Sequence, residues 1–170
     1  MVYEKHRGVR PTAAGKRRAW ELVMHHRLLE LFPHDVLKYS WDEVHEEAER
    51  LEHFISDRFA DRVAAILGDP VIDPDGHPIP QKYEAGVYRE EVPLLDWPVQ
   101  TPTTISSVSD RSAAALRDLK RLGLVPGTAL IIEHKTLEVS MAVRIAEQAD
   151  PVRVNDDLAK CILVSLPPAA

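Results

Sequence analysis

In this chain of 170 residues, His26 and Glu30 stand four residues apart, His45 and Glu49 do the same, and Glu52 and His53 follow directly. On a helix, residues four apart share a face. With His45 set at zero and a turn of about 100° per residue, Glu49 falls near 40°, Glu52 near −20° and His53 near 80°. The apolar set Val44, Ala48, Leu51, Ile55 and Phe59 takes the neighbouring arc, so the polar arc borders a core. Two helices carrying His/Glu pairs at this spacing are how bundles build cation sites. The donors are imidazoles and carboxylates without a thiolate, a hard set that favours manganese or ferrous iron over structural zinc. Spacing does not separate those two metals. It equally describes a solvated acidic face with ordinary histidines, and both readings stand at this point.

The enzymatic alternative is a metal-dependent hydrolase, with Glu52 as general base beside an ion held by His45, Glu49 and His53. The H-E-x-x-H order of such enzymes is absent, as are a Gly-rich phosphate loop, a nucleophile elbow and a Cys–His pairing. No catalytic residues are assigned. The single cysteine, Cys161, lies in the apolar run Lys160-Cys161-Ile162-Leu163-Val164 and reads as a buried strand residue. His77 and His134 have no spaced partners and read as structural.

These side chains need helices to position them. Residues 1 to 9 read as the end of a strand, and Thr12 after Arg10-Pro11 is placed to cap a helix from Ala13 to Phe32 that Pro33 stops. Ser40, with Glu43 three residues on, predicts a second helix whose apolar positions keep period from Val44 to Ile66, ending at Gly68. An antiparallel hairpin of the two would bring His26 and Glu30 to the second helix. The cluster Asp73-Pro74-Asp75-Gly76-His77-Pro78-Ile79-Pro80 then breaks regular structure, and the proline- and acid-rich stretch 81–102 reads as loop and linker. Beyond it, strand-like runs at 103–108, 128–134, 137–145 and 161–166, with a helix over 111–122, predict a small barrel of about five strands.

Composition bounds the rest. With 45% hydrophobic and 28% charged residues the chain has material for a core and a solvated surface. No apolar run reaches the roughly 20 residues of a spanning helix and no signal-peptide core follows Met1, so no membrane partner and a cytoplasmic location are expected. The net charge of −6 argues against coating nucleic acid over the whole surface, but the charge is uneven. Residues 1–20 carry Lys5, Arg7, Arg10, Lys16, Arg17 and Arg18 against Glu4, whereas 41–62 carry eight acids against three arginines. Lys5, Arg7 and Arg10 are the candidate phosphate contacts.

The stretches Arg7-Gly8-Val9-Arg10-Pro11-Thr12-Ala13-Ala14-Gly15, His25-His26-Arg27-Leu28-Leu29-Glu30, Asp42 to His53, and Asp73 to Pro80 resemble, in order and spacing, the diphtheria toxin repressor family of metal-dependent transcriptional repressors. The resemblance implies an α+β chain: a helical dimerisation and metal-binding domain followed by a small SH3-like (FeoA-type) β-barrel. It implies the boundaries 1–11 for a remnant of the winged-helix wing, 12–80 for the helical domain, 81–91 for a linker and 92–168 for the SH3-like domain. The helix-turn-helix that precedes the wing in the family is expected to lie outside this sequence. His26, Glu30 and His45 match one of the family's metal sites, and Glu49, Glu52 and His53 match the other. Iron-responsive members carry cysteine where Glu49 stands, and manganese-responsive members carry glutamate. In some members the SH3-like domain donates a Glu and a Gln to a metal site, for which Asp110 is the nearest counterpart here. The implied function is a manganese- or iron-dependent repressor of metal-homeostasis genes, homodimeric, acting on a double-stranded DNA operator. The alternative is a metal-sensing dimer that does not bind DNA. The dimer surface is expected on the apolar flank of the helices, so that a charge at Leu51 or Ile55 gives monomers.

Overall fold

The computed structural model describes residues 2–4, 8–81, 90–109, 112–136, 140–146 and 148–165. Its contacts group into two units. The first is helical. Strands β1 (Val2–Glu4) and β2 (Gly8–Arg10) pair antiparallel, Tyr3 opposite Val9, so the start of the chain is two strands where one strand end was expected. Helix α1 (Ala13–Phe32) has the expected bounds, and the Thr12 hydroxyl caps it by accepting from the Gly15 N–H at 3.1 Å. Pro33 does not stop the chain's helical course. It opens one wide π turn, Pro33–Leu37, closed by the Lys38 N–H donating to Pro33 O. Lys38, at φ 63°, ends that turn in the left-handed region.

The second predicted helix is two helices. Helix α2 (Val44–Leu51) and helix α3 (Asp57–Ile66) are separated at 52–56, where Phe54 N–H closes a tight turn on Leu51 O and Ser56 caps α3 by accepting from Phe59 N–H at 3.2 Å. A serine cap is a local competitor of continued helix, and the unbroken apolar period hid it. The helical core joins Leu28 of α1, Ala60 and Val63 of α3 and Ile79, with Ile55 packed against them. Arg27 of α1 ties down the loop that follows α3: its Nε lies 3.3 Å from Asp73 Oδ2 and its Nη1 donates to Pro78 O.

The second unit is a six-stranded antiparallel sheet in the order β3-β8-β4-β5-β6-β7. Its strands are β3 (Val92–Pro93), β4 (Pro102–Val108), β5 (Ala129–Thr136), β6 (Ser140–Ile145), β7 (Val152–Asn155) and β8 (Ile162–Ser165). Helices α4 (Ala113–Leu122) and α5 (Asp156–Cys161) complete it. Bulges between Ile105 and Ser107 and between Ile132 and His134 bend the sheet around a core that includes Leu94, Leu116, Leu119, Ile132 and Val164. Residues 92–97 therefore belong to this core and not to a linker, Leu94 being fully buried. β7 and α5 were not expected. They are four and six residues long, too short for a period to be read.

Two short segments from the 12–80 region, Trp41–Glu43 and Pro74–His77, pack with this unit. The Trp41 indole N–H donates to Asp75 Oδ1 at 2.7 Å, both side chains buried, and Val108 N–H donates to Asp75 O at 2.9 Å. Between them Gly76 sits at φ 87°, where a Cβ would lie 2.1 Å from Ser106 O. Only glycine fits there. Gly76→Ala is expected to cost more than about 2 kcal/mol, combining a left-handed backbone with a backbone clash; a urea midpoint equal to wild type would refute this packing.

Candidate metal centre

Helix α1 buries His25, Leu28, Leu29 and Glu30, and α2 buries Val44 and Ala48, so the two helices meet along the faces that carry His26, Glu30 and His45. Glu30 is completely buried. An unpaired carboxylate is among the costliest groups to take out of water, so its surroundings must compensate it. Its Oε1 lies 3.0 Å from His26 Nε2 and 2.9 Å from His45 Nδ1, and those two nitrogens are 3.3 Å apart. The rings meet edge to face with centroids 5.0 Å apart. Glu30 Oε2, also buried, has no hydrogen-bond partner among the described residues.

Charge follows from this geometry. Burial alone would push His26 down, but the hydrogen bonds and negative charges of Glu30 and Glu52 outweigh it and raise His26 from 6.5 to about 9. Burial alone would push Glu30 up, yet the hydrogen bonds from His26 and His45 and their charge hold it at about 2. Without a metal, the site is thus a protonated imidazole locked onto an ionised, buried carboxylate.

The fit to a metal ion can be tested on the three donor atoms. Six-coordinate ions with donors at about 2.1 Å separate neighbouring donors by about 3.0 Å, whereas a tetrahedral ion at that distance separates them by about 3.4 Å. The observed edges of 2.9, 3.0 and 3.3 Å fall within the span of such donor sets, and without a metal they are the lengths of hydrogen bonds. The orphaned Oε2 and the hard donor set agree with a divalent cation held by these residues.

Of the six residues expected as ligands, His26, Glu30 and His45 converge. Glu49 is beside them, its Oε1 3.5 Å from His45 Nε2, but on an exposed side chain. Glu52 reaches back across the helix pair, its Oε2 2.7 Å from His26 Nδ1. His53 is exposed and touches only the same carboxylate, 3.2 Å from Glu52 Oε1 among the described contacts. The wheel placed His53 on the ligand arc by continuing the helix through it; α2 ends at Leu51, and the turn carries His53 away. Among the described residues, Glu49, Glu52 and His53 are not gathered into a three-ligand group. What sequence reasoning missed is the pairing of Glu52 with His26. The antiparallel hairpin held that signal, because a step back along α1 from Glu30 to His26 is a step forward along α2 from His45 toward Glu52. Lys5, Arg7 and Asp110 lie outside the described residues, and Arg10 is described only as backbone in β2.

Comparison with known proteins identifies the chain's relatives. The model of the iron dependent repressor metal binding and dimerisation domain matches residues 12–81, and that of the FeoA domain matches residues 92–166. The iron-dependent repressor IdeR of Mycobacterium tuberculosis is 31% identical over 134 residues, 72% of this chain and 58% of that protein. The diphtheria toxin repressor of Corynebacterium diphtheriae is 34% identical over 87 residues, 51% of this chain and 38% of that protein. The chain thus spans less than two thirds of the length of these relatives. A solved manganese-dependent transcriptional repressor in complex with manganese superposes with a TM-score of 0.90 at 33% identity, over 95% of this chain and 77% of that one. The manganese regulator SloR superposes with a TM-score of 0.79 at 28% identity, over 98% and 76%. The convergence of family models, sequence relatives and superposed structures on one group establishes that the chain belongs to the diphtheria toxin repressor family of metal-dependent transcriptional repressors.

Proposed function

We propose that this chain senses Mn2+ or Fe2+ and dimerises in the service of transcriptional repression of metal-homeostasis genes. The observation that carries this is Glu30: a fully buried carboxylate with one oxygen between two imidazole nitrogens and the other without a partner. His26, Glu30 and His45 would hold the ion, with Glu49 next to them; Glu49, Glu52 and His53 are the second candidate set. Nitrogen and oxygen donors without sulfur suit either metal, and the manganese named for the superposed repressor points to that one. The reading includes no catalytic step, and the relatives are repressors. The spans of the two family models support a helical domain over 12–80, a linker over 81–91 and an SH3-like domain over 92–168, and the β1–β2 pair supports a wing remnant over 1–11.

In such a repressor, metal and operator affinities are reciprocally linked, so a metal site in this region is the sensor for DNA binding elsewhere in the dimer. A cytoplasmic location follows from that role, and no described helix is long and apolar enough to cross a membrane. The test is anaerobic calorimetric titration with MnCl2 and with ferrous sulfate. Saturable binding that His45→Ala weakens supports the reading, and absence of saturable heat for both metals sinks it.

The dimer surface we assign to α3. Ala60 and Val63 face the helical core, whereas Phe59 and Ile66, seven residues apart on the flanking stripe, are 47% and 66% exposed, and Phe54, just before the helix, is 85% exposed. Large apolar groups clustered this way mark an association surface. Leu51 is also partly exposed, but Ile55 packs against the core, so a charge there would unfold the helices before it split a dimer. Phe59→Lys with Ile66→Glu is expected to halve the mass measured by light scattering, with helical circular dichroism unchanged; an intact dimer mass would reject this surface.

A further inference from the structure

His26 is held from both ends. Its Nε2 faces Glu30 Oε1 and His45 Nδ1, while its Nδ1 lies 2.7 Å from Glu52 Oε2. An imidazole ring turns between broad, roughly two-fold wells and offers either nitrogen, so a ligand histidine needs something behind it to choose the face it presents. Metal-binding histidines are oriented this way by a carboxylate on the far nitrogen. Glu52 has the geometry for that task. It is only 15% exposed, its backbone N–H still donates to Ala48 O at 2.9 Å, and its second oxygen is engaged by His53 at 3.2 Å. A carboxylate fixed at both oxygens and at its backbone is a rigid acceptor.

We propose that Glu52 is the positioning residue of the His26–Glu30–His45 centre: it accepts from the Nδ1–H of His26 and so aims Nε2 at the ion. This rests on the reading that those three residues hold the metal. It gives Glu52 a task toward the triad that differs from membership in a separate ligand set with Glu49 and His53. Glutamine keeps an acceptor oxygen at the same place without the charge, whereas alanine removes both, and this difference separates the two roles.

The experiment measures Mn2+ affinity and stoichiometry for wild type, Glu52→Gln and Glu52→Ala, with helical circular dichroism as the check on folding. The expected result is a Kd for the triad ion raised 10- to 100-fold in Glu52→Ala and within a few-fold of wild type in Glu52→Gln. In the Zn2+-loaded protein, nitrogen NMR is expected to find the metal on Nε2 and the proton on Nδ1 of His26 in wild type and Glu52→Gln, with that proton's signal lost in Glu52→Ala. A purely structural role would not move that signal. The proposal is overturned if Glu52→Ala loses one bound ion while the remaining ion keeps its wild-type Kd, or if Glu52→Gln is as weak as Glu52→Ala. Wild-type protein that binds no Mn2+ rejects the sensor reading and takes this one with it.

Discussion

Glu30→Gln is expected to weaken Mn2+ binding by roughly two orders of magnitude or more, the largest effect of any single substitution in the chain. The side chain keeps its shape and burial but loses the charge that offsets a divalent cation, and a neutral amide is a poor ligand for one. It also loses its hold on the neighbouring rings. Glu30 supplies the largest upward influences on His26, so in the variant that imidazole is expected to titrate well below about 9. The two consequences can be read separately, the first by calorimetry and the second by NMR of the His26 ring carbons. If Mn2+ affinity survives the substitution, the ion sits elsewhere, and the set Glu49, Glu52 and His53 becomes the first place to look. If affinity falls but His26 still titrates near 9, the ring is governed by Glu52 alone.

The shared face of the candidate ligands was legible in the sequence because helix spacing is a one-dimensional property. His26 and Glu30, at i and i+4, had to share a face of α1, and the observed bounds of α1 are those that Thr12 and the apolar period predict. The position of His53 was not legible. A continuous apolar period from Val44 to Ile66 reads as one helix, and the signal that breaks it, Ser56 as a cap for α3, is worth only about 1 kcal/mol and is easily overridden in other contexts. The same limit hid β3, whose two residues enter the sheet through pairing with β8, a partner some seventy positions away. Nothing local encodes that pairing. Trp41 shows the converse: it lies between two helices of the helical unit, yet its indole is buried with the β-sheet unit on Asp75, a contact that no period predicts.

The metal-free and metal-loaded forms are expected to respond to pH with opposite signs. In the metal-free protein, His26 has a folded value of about 9 against an ordinary 6.5, so its contribution is fully present below 6.5 and is lost as pH rises through about 9. Glu30 has a folded value of about 2 against an ordinary 4.5, so its contribution is present above 4.5 and is lost as pH falls through about 2. The metal-free centre therefore stabilises the fold most between 4.5 and 6.5, and its Tm should fall from pH 6 to pH 9. A cation at the same place must displace the proton on His26 Nε2, so its apparent affinity should rise about tenfold per pH unit up to about 9. Stabilisation by a fixed excess of Mn2+ grows with that affinity, so the Tm increment produced by the metal should be larger at pH 8 than at pH 6. Calorimetry at pH 7 in buffers of different ionisation enthalpy should find close to one proton released per triad ion. Release of no proton, with a metal-induced Tm increment independent of pH, would mean that the ion does not displace the proton on His26, and the centre built on Glu30 and the two imidazoles would have to be abandoned.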